Sequence, residues 1–189
     1  MKSLLFVFIA LFGAVNLFAQ SPIDTLATKD SLVVEPVISQ VNTDSLYKAN
    51  YLKVLEDIRY FVSRSVGYRD DITNVWHEAI YDGKYKGKWV KDFDTALSKH
   101  FAERRESWLY QSYLSMGGEV KGWIKSLNKY PPHLEQAFEG MLELGMMVDE
   151  FYECVVSPDG SYKSYSESTR ELYSKIKRQL YELEMRYTD

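Results

Sequence analysis

The chain has 189 residues, 23 basic and 27 acidic side chains, a formal charge of −4 and a single cysteine. An acidic balance argues against nucleic acid, which needs a basic stripe of Lys and Arg to displace counterions from phosphates. One cysteine, Cys154, excludes an internal disulfide framework, and its place beside an apolar stripe predicts a buried thiol.

Residues 1–19, MKSLLFVFIALFGAVNLFA, have the three parts of a secretory signal: Lys2, an apolar run from Leu4 to Val15, and small Ala19 before Gln20. Cleavage is expected after Ala19, leaving a secreted or periplasmic chain. The apolar run is shorter than the roughly 20 residues of a spanning helix, and no Cys follows it to carry a lipid. Residues 20–43 contain no aromatic residue, two Pro and scattered Ser, Thr and Asp, so they read as a flexible linker. Within them LVVEPVI is β-prone and could add to a partner's sheet edge. The expected helical domain is then 44–189.

From Asp44 the apolar pattern is helical. Leu55, Ile58, Val62, Ser65, Arg69, Ile72, Trp76 and Ala79 recur at alternating steps of three and four, and the phase survives Gly67. One long helix is expected from about Asp44 to Tyr81, with Ser65 and Arg69 as a polar layer midway. A second long helix is expected from near Val90 through Phe93, Leu97, Phe101, Trp108, Leu109, Tyr113, Met116, Val120, Ile124 and Leu127, with a kink at Gly117-Gly118. Trp76, Phe93 and Trp108 lie on these stripes and read as core.

Tyr130-Pro131-Pro132 stops that helix and opens a third, carrying Leu134, Phe138, Met141, Leu142, Gly145, Val148, Phe151, Tyr152 and Val155. Ser157-Pro158-Asp159-Gly160 is a turn signal. A fourth helix is expected after Ser164 or Ser166, where Ser164 to Glu167 and Ser168 to Glu171 match the capping-box spacing, with the stripe Leu172, Ile176, Leu180, Leu183 and Tyr187. The expectation is an all-α fold: an elongated antiparallel four-helix bundle of two long and two shorter helices. The length mismatch predicts a projecting two-helix tip over residues 69–108.

At that tip the connection NVWHEAIYDGKYKGKWVKDF concentrates aromatic and basic side chains, and loops carry exposed chemistry more often than scaffolding does. The candidate partner-binding residues are Trp76, His77, Tyr81, Tyr85, Lys86 and Trp89. His77-Glu78 and His100 with Glu103 offer metal-ligating types, but an antiparallel hairpin sets His77 level with Asp94 and His100 level with Asp71, several turns apart. The zinc-protease His-Glu-x-x-His and the di-iron Glu-x-x-His pairs are both missing from the sequence. No metal, no other cofactor and no catalytic residue is therefore expected.

NVWHEAIY, DFDTAL, the Leu127 to His133 junction and SPDGSYKSYS resemble, in that order, a group of uncharacterised all-helical proteins of bacteria and their phages. The resemblance spans about Ile72 to Tyr173. It implies a helical fold and supplies no activity. The functional expectation is an exported helical interaction protein that binds an envelope or extracellular protein through the tip or a helix face. A glycan-binding protein or enzyme of the envelope, using the Tyr and Trp set, is the alternative; self-association as a homodimer through the tip is a third reading.

Overall fold

The computed structural model describes the backbone of residues 35–187 and the side chains of residues 43–187. The expected signal peptide and most of the expected linker lie outside the described residues. Five α-helices make up the described chain: α1 (Glu35–His77), α2 (Phe93–Arg105), α3 (Trp108–Lys125), α4 (Glu135–Val156) and α5 (Tyr162–Tyr187). A two-stranded hairpin, β1 (Lys84–Tyr85) and β2 (Lys88–Trp89), joins α1 to α2. The fold is all-α in character, and no described helix is long and apolar enough to cross a membrane.

The apolar phase of α1 is realised as the spacing requires. Leu55, Ile58, Val62, Ser65, Ile72, Trp76 and Ala79 are buried, and the helix runs through Gly67, where an added Cβ would meet nothing. α1 begins at Glu35, earlier than the expected Asp44. Its polar layer is bonded within the chain, with Ser65 buried and Arg69 toward the surface. The Ser65 hydroxyl donates to the Phe61 carbonyl at 3.0 Å and accepts from the Tyr113 hydroxyl at 3.0 Å. Arg69 pairs with Asp70 at 2.5 Å and lies over the Tyr173 ring.

The expected second long helix is two helices, and the interruption falls at Glu106-Ser107 instead of Gly117-Gly118. Ser107 is extended, with φ −81° and ψ 123°. The cause is a polar residue at a core position. Arg104 takes the inward site that the apolar stripe leaves vacant between Phe101 and Trp108, and the break moves the inward face to Tyr110 and Tyr113. Trp108, expected in the core, is therefore 75% exposed, and Phe93 is only partly covered against Trp76. Gln111 helps to close the break by donating its amide to the Arg105 carbonyl at 2.9 Å. α3 then continues through both glycines, and Gly117 lets the Tyr152 ring of α4 approach its backbone.

α5 begins earlier than expected. Ser161 is its effective cap: the Ser164 amide donates to the Ser161 hydroxyl at 3.2 Å and the Ser161 amide to the Ser164 hydroxyl at 2.9 Å, a reciprocal box with Ser in the usual place of Glu. α5 then runs antiparallel along α1, with contacts from Tyr51–Tyr187 through Arg59–Glu184 and Arg69–Tyr173 to Trp76–Tyr165 and Tyr81–Tyr162. This corrects the expected two-helix tip. α5 accompanies α1 to its end, and what α1 has in excess lies at the other end, before Tyr51.

Candidate interaction site at the end of α1

The last turn of α1 widens. Glu78–Asp82 is π-helical, and the Gly83 amide donates back to the Glu78 carbonyl, closing the turn from a left-handed backbone with φ 63°. Such single π turns occur mostly inside or at the ends of α-helices near functional positions. The chain then reverses over Lys86-Gly87, both at positive φ (50° and 74°), as a two-residue hairpin requires. Register pairs Lys84 with Trp89 and Tyr85 with Lys88.

That register divides the hairpin into an inner and an outer face. On the inner face Tyr85 is 5% exposed. Its hydroxyl donates to Glu103 Oε2 at 2.9 Å and lies 3.3 Å from His100 Nδ1, so His100 serves as donor there while Nε2 stays unprotonated. Lys86 Nζ closes on the same Glu103 oxygen, and the Lys86 amide donates to Glu78 at 3.3 Å. One level deeper Arg104 donates to Asp71 at 2.8 Å and to the Tyr68 carbonyl at 3.3 Å, with Tyr68 and Tyr110 flanking its guanidinium.

These groups line a cleft of 490 Å³. Burial, reinforced by the Arg104 charge, pushes His100 down to about 4, so the ring is neutral at pH 7. Burial raises the Tyr85 phenol. Hydrogen bonds from Lys86 and Tyr85 hold Glu103 below the usual carboxylate range, and Glu103 in turn raises Lys86. Each ion is matched by a partner, so the arrangement is chemically a latch that pins the hairpin to α2.

The outer face is different. Trp89 stands 77% exposed, seated edgewise over Gly83 with Lys84 Nζ 5.0 Å from its ring centre. At the junction of α1 and α5, His77, Tyr81 and Tyr162 form a ring cluster with centroids 4.6 to 6.3 Å apart, and Tyr81 is 65% exposed. Ile80 is also exposed.

Of the six residues singled out from the sequence, His77, Tyr81, Lys86 and Trp89 lie at the surface. Trp76 and Tyr85 are buried and act as supports: Trp76 packs on Tyr165 of α5, and Tyr85 anchors the hairpin. Sequence reasoning missed the exposed Ile80, the Tyr162 ring and, on the inner face, Arg104, and it weighed Glu103 only as a metal-ligating type beside His100. The signal for the last pair was the turn spacing from His100, which sets three polar side chains along one helix face. Among the described residues no group of three His, Cys, Asp or Glu could hold a metal ion. Comparison with protein-family models, curated proteins and solved structures finds no match.

Proposed function

We propose that this chain is an exported helical interaction protein that binds a protein partner, in the envelope or outside the cell, through the outer face of the α1–hairpin end. The observation that carries this reading is the pairing of a braced base with an unburied aromatic rim. The latch under the hairpin fixes Tyr85, while Trp89 and Tyr81 project with 77% and 65% of their surface free. Trp and Tyr are the residues most enriched at interface hot spots, and rigid presentation lowers the entropic cost of docking them. Export rests on the signal-like residues 1–19. The antiparallel course of α5 along α1, with α2 and α3 following one another, supports the finer reading of an elongated four-helix bundle.

The test is crosslinking capture from envelope extract with three baits: the unmodified chain, Trp89→Ala and Tyr81→Ala. Tyr181→Ala, on an equally exposed ring of α5, is the control. The expected result is one crosslinked species lost from both end variants and retained by the control. An identical pattern with all baits overturns the reading, and co-sedimentation with purified cell wall that depends on Trp89 would replace it with glycan binding.

A further inference from the structure

A second candidate site lies at the opposite end of the molecule, where α1 outreaches the carboxyl end of α5. A cleft of 300 Å³ opens there between α1, the start of α4 and the end of α5. Its walls are Tyr47, Tyr51, Leu134, Ala137 and Tyr187, with Tyr51 meeting Tyr187 edge to face at 5.3 Å and Tyr47 tilted against Tyr51 at 6.3 Å. A space of this size, at the lower limit of ordinary ligand pockets, takes a molecule of roughly ten to fifteen heavy atoms.

Three polar atoms in this wall are buried and have no hydrogen-bond partner among the described residues: the hydroxyls of Tyr47 and Tyr51 and Oδ1 of Asp44. Tyr47 and Tyr51 are 7% and 1% exposed. Leaving such groups unmet is costly, and the residues that carry them line one cleft, so the two hydroxyls in particular need an explanation. Burial pushes the Tyr47 phenol up to about 12 and that of Tyr51 higher still, so both keep their protons and need acceptors. Water would satisfy the hydroxyls, yet the aliphatic and ring surfaces around them gain nothing from it.

The charges select the sign of the missing group. Lys48 and Arg186 line the same cleft, and Asp44, the one carboxylate among its described lining residues, has Oδ2 3.4 Å from His133 Nε2. Two phenol donors and a cationic rim favour an anion with acceptor oxygens over an ammonium group. We propose that this basal cleft binds a small molecule with an apolar body and a carboxylate end, the body against Leu134, Ala137 and Tyr187 and the carboxylate at the two phenols. This site shares no residue with the hairpin end and does not depend on the function proposed for it.

The full chain is titrated with octanoate, octanol and octylammonium, following its tyrosine ring resonances. The expected result is saturable octanoate binding, about tenfold or more tighter than either comparator. Replacing both donors, Tyr47→Phe with Tyr51→Phe, keeps the ring packing; it is expected to weaken octanoate about tenfold and to leave octanol unchanged. Trp89→Ala should bind like the unmodified chain. Failure of octanoate to saturate, preference for octylammonium, or unchanged octanoate affinity in the folded double-Phe variant would each overturn the proposal.

Discussion

The indole of Trp76 meets the ring of Tyr165 edge to face, with 5.0 Å between centroids, and both rings are buried. This contact ties the first turn of α5 to the last turn of α1, and it is why the end of α1 does not project alone. Removing a buried indole costs about 3–5 kcal/mol. Trp76→Ala should therefore lose that much in urea unfolding, with early loss of amide protection in the first turns of α5. Protection retained at Tyr165 would show that the Ser161 cap alone fixes the start of that helix.

The Ser65 and Tyr113 hydroxyls form a second, separable link. Ser65→Ala leaves a fully buried phenol without an acceptor and should cost about 1–3 kcal/mol. Tyr113→Phe is milder, because Ser65 keeps its bond to the Phe61 carbonyl. The double variant should be more stable than the sum of the two single losses implies, and a double-mutant cycle from urea melts gives the coupling directly. Strict additivity would mean that the bond contributes nothing net.

What could be read from the sequence divides by the range of the interaction that decides it. The stripes of α1 and α5 were legible because burial at Ile58, Ile72, Ile176 and Leu183 follows from spacing within one helix. The break at Glu106-Ser107 was not, since it depends on Arg104 entering the core, and that is made tolerable by Asp71 and Tyr68 more than thirty positions away. The hairpin was hidden for a local reason: its first turn residue is Lys86, at φ 50°, where Asn or Asp would have signalled the reversal. At the candidate site the exposed members could be named, but which of the rings pointed inward depended on a register that the missing turn signal left open.

Gly117 and Gly118 are neighbours in one helix and should respond to alanine with opposite signs. An added Cβ at Gly117 would lie 2.5 Å from the Tyr152 ring, a stiff obstacle wedged between α3 and α4. Overpacking of that kind costs about 1–3 kcal/mol. At Gly118 the Cβ meets nothing within 4 Å, so Gly118→Ala should gain up to about 1 kcal/mol from helix propensity. Thermal melts of the two variants side by side decide this; equal shifts would mean that Tyr152 moves aside freely.

The latch beneath the hairpin makes stability depend on pH through His100. Its pKa falls from an ordinary 6.5 to about 4 on folding, because burial and the neighbouring Arg104 disfavour the imidazolium, opposed only by Asp71 and Glu103. Between those two values the unfolded chain holds a proton on this ring that the folded chain does not. Stability from this group is therefore intact above about pH 6.5, declines as pH drops toward 4, and changes no further below it. The buried Nε2, which has no partner among the described residues, is where that proton would have to go. His100→Gln removes the titrating ring while keeping a donor for the Tyr85 hydroxyl, and should flatten the decline between pH 6.5 and 4. Urea unfolding of both chains across that range is the check, and a decline of equal slope in the variant would assign the pH dependence to other groups.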